Sequence, residues 1–299
     1  MRILVTGTEG QLARSLKAHA GDHPALDLHF LGRPELDLAE SGSFAARMHE
    51  LRPQLVVNAA AYTAVDDAER EAELAMRING AAPGEGAKAA AAIGARFVHL
   101  STDYVYGGQG SAPLTEDEPV GPRNAYGRTK LAGEEAVRAA CSDHLILRTA
   151  WVVSPFGRNF VRTMMNAART RDVLTVVEDQ RGSPTSALDL AAAVLAIADQ
   201  WRGGSDTGLG QTMHAAGAGE TSWCGLAAHV MDECRALDLP AAEVRPILTS
   251  DWPTPATRPH WSVLDSSQLE RSFGFAMPHW SGSVSAIVKT LAGEGQDRG

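Results

Sequence analysis

The sequence predicts an α/β fold, a doubly wound parallel sheet followed by a smaller C-terminal α/β region that binds substrate. Three observations carry this reading. Short apolar runs alternate with helical patterns through the first 150 residues. Several runs, such as LVVN at 55 to 58 and FVHL at 97 to 100, are apolar without clean alternation, as expected for strands covered by helices on both faces. A glycine-bearing turn joins the first run directly to the first helical pattern.

Residues 2 to 6 read as the first strand and Gln11 to about Ala20 as the first helix. The alternation continues with a strand at 27 to 31, a helix at 43 to 51, a strand at 54 to 58 and a long alanine-rich helix near 71 to 93. A strand at 96 to 100, a helix at 125 to 140 and a strand at 144 to 149 complete the series. Residues 1 to 150 are therefore assigned to a dinucleotide-binding unit. After about Trp151 the rhythm breaks, with prolines from Pro155 to Pro259 punctuating shorter elements, and 151 to 299 is assigned mainly to a substrate-binding region. Helices are expected there at roughly 159 to 171, 186 to 201, 222 to 236 and 283 to 292, the second of them returning to the first unit. The glycine-rich end, 293 to 299, is expected to fray.

Composition excludes several function classes. The net charge is −9, with 21% charged residues of both signs, so no basic stripe exists to neutralise a nucleic-acid backbone. No apolar run approaches the ~18 residues of a membrane span, and the strand pattern starting at Arg2 leaves no room for a signal peptide. A cytoplasmic protein is expected. Cys141, Cys224 and Cys234 are odd in number and far apart, and no HExxH pattern occurs, so neither a disulfide framework nor a metal site is expected.

Gly7, Gly10 and Ala13 form GxxGxxA between the first strand and first helix. Gly7 allows a tight turn, Gly10 lets the backbone approach a pyrophosphate, and Ala13 lets the helix lie close to the sheet. The helix N-terminus then offers free N–H groups to phosphate. In this strand–turn–helix context the pattern is the dinucleotide-binding turn of a Rossmann fold. At the end of the second strand, where an acid commonly holds the ribose 2′-hydroxyl of NAD, the chain reads Leu31-Gly32-Arg33. Arg33 suits stacking on adenine and meeting a 2′-phosphate, so NADPH is expected over NADH. Asp37 and Leu38 follow the pattern of an adenine-edge contact. Asn58 to Thr63 closes the third strand with small residues suited to passing beside a cofactor.

Tyr126 and Lys130 form YxxxK at a predicted helix start, where a spacing of four puts phenol and ammonium on one face. A nearby cation favours the phenolate, so Lys130 is expected to lower the pKa of Tyr126. Upstream, Ser101-Thr102-Asp103-Tyr104 puts hydroxyls at a strand's carboxyl end, where open α/β sheets bind ligands.

On these motifs, GxxGxxA, STDYVYGG and YGxTKxxGE, the chain resembles the extended short-chain dehydrogenase/reductase family. NAAAYTAVDDAE (58 to 69), LRTAWVV (147 to 153), FGRNFVRTM (156 to 164), VVEDQRGSPT (176 to 185) and PTPATRPHWSVLD (253 to 265) narrow the resemblance to the branch acting on dTDP-4-dehydro-β-L-rhamnose. The resemblance implies hydride delivery from NAD(P)H to C4 of that sugar, with Tyr126 donating the proton, Thr102 bonding the same oxygen and Lys130 holding the nicotinamide ribose. It further implies Gly10, Gln11 and Leu12 at the phosphate turn, and Asp37, Leu38 and Ala61, Tyr62 and Thr63 as other cofactor contacts. Asp103 and Trp151 would border the sugar, and Arg258 would meet the nucleotide diphosphate. The family also allows a homodimer. Some members dimerise around a metal held by glutamates, but those acids find no match here.

Two positions depart from the family pattern: Tyr62, where histidine is frequent, and Tyr106, where phenylalanine is frequent. Dehydratases sharing the same turn typically carry an Asp-Glu pair after the strand-end threonine, and Tyr104 fills the second place here, which disfavours elimination. Two alternatives remain open. One is another NDP-deoxysugar 4-ketoreductase. The other is a noncatalytic relative such as the regulatory subunit of methionine adenosyltransferase, against which the intact Thr102, Tyr126 and Lys130 weigh.

Overall fold

Six strands, every neighbouring pair parallel, form the central sheet of the computed structural model, which describes residues 1–296. The first half alternates strand and helix: β1 (Arg2–Thr6), α1 (Gln11–His19), β2 (Asp27–Leu31), α2 (Ser43–Leu51) and β3 (Leu55–Asn58). Then come α3 (Ala72–Met76), α4 (Ala82–Ala92), β4 (Arg96–Thr102), α5 (Ala125–Ala140) and β5 (His144–Thr149). Beyond these lie β6 (Val152–Val153), α6 (Phe160–Ala167), β7 (Val173–Val177), β8 (Arg181–Gly182), β9 (Thr185–Ser186) and α7 (Ala187–Arg202). The chain continues through β10 (Gln211–His214), β11 (Thr221–Ser222), α8 (Trp223–Ala236), β12 (Glu243–Ile247) and β13 (Trp261–Ser262). It closes with α9 (Ser267–Phe273) and α10 (Trp280–Gln296). The fraying expected at the end falls partly on 297–299, which lie outside the described residues; up to Gln296 the chain is helical.

The sheet order β10-β5-β4-β3-β1-β2 is that of a doubly wound Rossmann sheet, reversing direction between β1 and β3. Alternate residues along each strand feed opposite cores. Ile3, Val5, Val57 and Leu145 face α1 and α7, whereas Leu4, Val56, Phe97 and Ile146 face Phe44 of α2 and Ala87 of α4. This two-sided burial explains why the strands read as unbroken apolar runs. Two elements from beyond residue 150 complete the layer: α7 packs on α1, and β10 pairs with β5 as the sixth strand. Strand β10 (QTMH) is too short and too polar to stand out in the sequence.

The alanine-rich helix expected over 71 to 93 is interrupted by a π-helical turn, Arg77–Ala81. Pro83 is the physical reason: it has no N–H for the Asn79 carbonyl four residues back. A separate core lies in the second region, where Leu174, Val176, Leu226, Val230, Ile287 and Val288 bring α8 and α10 together over the parallel pair β7–β12. The three cysteines are buried and unpaired. No helix among the described residues is long and apolar enough to cross a membrane.

Candidate active site

The expected site residues gather beyond the carboxyl ends of the parallel strands, on both sides of the point where the strand order reverses. After β1, Gly7 adopts φ +91°, a conformation open to glycine, and its N–H donates to the Leu31 carbonyl at 2.6 Å. A Cβ at Gly7 would sit 3.5 Å from the Ala60 Cβ, so the turn lies close against the segment leaving β3. Gly10 is the N-cap of α1, no side chain caps it, and a Cβ built on it meets nothing within 4 Å. Uncapped N–H groups beside open space fit a pyrophosphate. Leu12 and Ala13 are buried in the core, while the side chain of Gln11 donates to the Val152 carbonyl at 3.2 Å and accepts from Ser154 Oγ at 2.8 Å. Gln11 thus ties the turn to the chain leaving β5.

Arg33, just past β2, is exposed and has no side-chain partner among the described residues. Asp37 accepts from the Ala39 N–H at 2.9 Å, fixing its own turn, and Leu38 is buried against the second face of the sheet. The 61–63 segment is held by a residue the sequence did not single out. Asn79, buried on the π turn, accepts from the Tyr62 N–H at 2.8 Å and donates to its carbonyl at 3.0 Å. The same amide reaches Thr129 on α5 at 3.2 Å. One asparagine therefore joins the β3 loop to the helix carrying Tyr126 and Lys130. The Tyr62 hydroxyl donates to Glu71 at 2.7 Å, and that bond helps push its pKa up to about 12.

Helix α5 starts at an Asn124 cap, whose side chain accepts from the Gly127 N–H at 2.8 Å. Two glycines let it lie against its neighbours: a Cβ at Gly127 would stand 2.2 Å from the Tyr104 carbonyl oxygen, and one at Gly133 would stand 2.1 Å from that of Asn79. Three consecutive residues ending β4 then meet one helical face. The Leu100 carbonyl accepts from Lys130 Nζ at 2.6 Å, Ser101 Oγ donates to Glu134 at 2.6 Å, and the Thr102 hydroxyl lies near the phenol of Tyr126 while donating to Asp103 at 2.8 Å. The end of β4, with Thr102, thus meets the face of α5 that carries Tyr126 and Lys130.

Their electrostatics differ from expectation. The Tyr126 pKa is pushed up to about 12, chiefly by burial, with the Asp103 charge adding and the Thr102 hydroxyl opposing. Lys130 is not among the groups that set it: its ammonium is directed at the Leu100 carbonyl, and burial in turn pushes Lys130 down to about 8. Asp103 is buried, accepts from Thr102 Oγ1 at 2.8 Å and is pushed up to about 6, chiefly by desolvation, with the hydroxyls of Thr102 and Ser262 opposing.

Tyr104 packs edge-on against Tyr126, ring centroids 5.5 Å apart, and lies near Arg258. The Arg258 guanidinium is itself held by Asp66, at 2.5 and 2.6 Å. Trp151 has φ +46°, unusual for a bulky residue. Its ring stacks on Trp223 at 3.6 Å and presses on Gly182, where a Cβ would come within 2.5 Å of it. One face of the indole is therefore occupied by protein. Asn79, Asp66, Ser101 and Glu134 are the site residues that the sequence reading did not single out; Glu134 lies inside YGxTKxxGE, Ser101 inside STDYVYGG and Asp66 inside NAAAYTAVDDAE, whereas Asn79 carried no signal.

Comparison with known proteins points to one family. The family described as RmlD substrate binding domain matches residues 1–292. A dTDP-4-dehydrorhamnose reductase of Sinorhizobium fredii is 42% identical over 297 residues, 99% of this chain and 100% of that protein. A probable dTDP-4,6-dihydroxy-2-methyloxan-3-one 4-ketoreductase of Streptomyces antibioticus is also 42% identical, over 88% of this chain and 86% of its own length. Among solved structures, a dTDP-4-dehydrorhamnose reductase of Clostridium acetobutylicum aligns with a TM-score of 0.89 at 37% identity, covering 97% of this chain and 99% of that one. That of Bacillus anthracis, in complex with NADP, aligns with a TM-score of 0.87 at 31% identity over the same shares. This chain belongs to the RmlD substrate binding domain family, the family of the dTDP-4-dehydrorhamnose reductases.

Proposed function

We propose that the protein reduces dTDP-4-dehydro-β-L-rhamnose at C4 to dTDP-L-rhamnose, with NADPH preferred over NADH. The convergence of Thr102, Tyr126 and Lys130 at the carboxyl end of β4, beside an uncapped glycine turn, is the observation that carries this reading. When bound, NADPH supplies the hydride that reduces the C4 ketone. Gly7, Gly10 and the first-turn N–H groups of Gln11 and Leu12 take its pyrophosphate, and the unpartnered Arg33 takes the 2′-phosphate. Asp37 and Leu38 border the adenine, while Ala61 to Thr63, fixed by Asn79, pass beside the dinucleotide.

Thr102 and Tyr126 bond the C4 oxygen, and Tyr126 gives it the proton. A phenol raised to about 12 is fully protonated at neutral pH, the state a donor to a developing alkoxide needs. Lys130 holds the nicotinamide ribose. Asp103, held by Thr102, borders the sugar. Trp151, fixed by its stack on Trp223, borders the sugar, and Arg258 meets the diphosphate of the nucleotide.

A second reading, another dTDP-deoxysugar 4-ketoreductase, is favoured by the Streptomyces relative, whose identity equals that of the Sinorhizobium one. The deciding assay follows NADPH and NADH oxidation with dTDP-4-dehydro-L-rhamnose generated in situ and identifies the product by NMR. Turnover to dTDP-L-rhamnose with NADPH ahead of NADH is expected. Cofactor binding without oxidation turns the choice to a different keto-sugar.

A further inference from the structure

Tyr106, which departs from the family pattern, belongs to a buried hydrogen-bond chain whose direction is determined. His214 Nδ1 lies 3.0 Å from the Asp265 carbonyl, which only accepts, so Nδ1 carries the proton and Nε2 is left as an acceptor. The neutral ring agrees with burial pushing the His214 pKa down to about 4. The Tyr106 hydroxyl, 2.6 Å from Nε2, therefore donates to it in preference to the Thr115 carbonyl at 3.3 Å, and its oxygen accepts from Arg148 Nη1 at 2.7 Å. Arg148 then donates through Nε and Nη2 to the two oxygens of Glu134, at 2.9 and 2.7 Å. Ser101 and Arg138 complete the shell of that carboxylate, at 2.6 and 2.8 Å. Glu134 is wholly buried and stands one helical turn beyond Lys130, as Lys130 stands one turn beyond Tyr126.

We propose that Glu134 is a positioning residue of the active site: its carboxylate, fixed by Ser101, Arg138 and Arg148, keeps Lys130 an ammonium on the Leu100 carbonyl. Both side chains are buried one helical turn apart on α5, and adjacent residues at the end of β4 hold them, Leu100 the ammonium and Ser101 the carboxylate. Of the ionisable groups around Lys130, His99 on β4 is buried and held neutral, Tyr126 stays protonated at neutral pH, and Arg138 and Arg148 are engaged with Glu134 itself. Asp103, past the end of β4, is turned to Thr102. Burial works against the ammonium, and Glu134 is the charge that opposes burial.

The inference deepens the reductase reading, on which the catalytic value of Lys130 rests, but the charge state is measurable without turnover. The chain has four lysines, at 17, 88, 130 and 289, so NMR of lysine-labelled protein gives four side-chain titrations, with Lys130→Arg assigning the signal of interest. In Glu134→Gln the Lys130 midpoint should fall by about one pH unit or more, and the alkaline limb of kcat should fall with it. An unmoved midpoint in the folded variant overturns the proposal. Should Glu134→Gln fail to fold with Arg148 left uncompensated, the pair Glu134→Gln/Arg148→Gln is titrated against Arg148→Gln alone; a lower Lys130 midpoint in the pair supports the proposal and equal midpoints overturn it. Tyr106→Phe keeps the carboxylate and should leave the midpoint in place, whereas a fall as large as that of Glu134→Gln would assign the effect to packing and overturn the role of charge. A wild type that oxidises neither cofactor while Lys130 still shifts in Glu134→Gln would remove the reductase reading and leave the charge-holding role standing.

Discussion

Arg258 and Asp66, 192 residues apart in the chain, meet as a bidentate pair, two guanidinium nitrogens on two carboxylate oxygens. Asp66 also accepts from the Ala256 N–H at 3.1 Å, so one carboxylate holds the 253 to 258 segment against the loop after β3. That contact places Arg258 beside Tyr104, and Tyr104 against the ring of Tyr126.

If Arg258 meets the nucleotide diphosphate, Arg258→Met should raise KM for the nucleotide-sugar about tenfold and leave kcat nearly unchanged. Steady-state kinetics decides; an unaltered KM takes Arg258 out of the substrate site. The Arg258 guanidinium, followed by the Ala256 N–H, holds the Asp66 carboxyl below its ordinary range. A carboxyl whose folded pKa is depressed contributes stability above its unfolded value and loses it as pH falls through the folded one. The tie should therefore persist throughout the neutral range and weaken only below about pH 4, which a pH series of denaturant titrations on wild type and Asp66→Asn would resolve.

Tyr126→Phe removes the proton donor but keeps the ring against Tyr104. The expected kcat is lower by at least about 10²-fold, with NADPH affinity nearly unchanged. Normal turnover by the phenylalanine variant would assign the acid elsewhere.

Arg33 is exposed and unpartnered at the end of β2, so Arg33→Ala should cost little stability. It should instead erode the preference for NADPH, with the ratio of kcat/KM for NADPH over NADH falling by about tenfold. A constant ratio refutes the assignment of the 2′-phosphate to this residue.

Gly133→Ala puts a methyl group 2.1 Å from the Asn79 carbonyl, backbone against backbone, where no rotamer gives relief. We expect a loss of about 3 kcal/mol or a failure to fold, since α5 must move off the π turn. Wild-type stability in urea would show that the helix has room that the close approach denies.

Tyr106→Phe leaves Arg148 Nη1 and His214 Nε2 without their partner in a buried site. A loss of about 1–3 kcal/mol is expected by equilibrium denaturation. No loss at all would mean that His214 and Arg148 find other partners once the hydroxyl is gone.

Much of this was legible in the chain. Period and apolar runs gave the five strands β1 to β5 and their helices, because each of those elements is buried on a full face and its pattern is local. GxxGxxA and YxxxK named Gly7, Gly10, Tyr126 and Lys130, because a turn and a helical face are short-range geometries. Strand β10, only four residues long and half polar, belongs to the sheet through its partner β5, and nothing in Gln211 to His214 announces that. The π turn was missed because helical patterns flank it on both sides, although Pro83 marked the place.

What the sequence determined by itself was the doubly wound α/β plan, the phosphate turn and the residue types on one face of α5, since all of these follow from spacing along the chain. Tertiary structure alone decided which groups surround those residues: Asn79 on Tyr62, Asp66 on Arg258, the Leu100 carbonyl on Lys130, and the shell that fixes Glu134. The charge states went with it, against the expectation that Lys130 lowers Tyr126. Desolvation and hydrogen bonding depend on the depth and direction of each group in the folded protein, and those are set by contacts between segments that lie far apart in the chain.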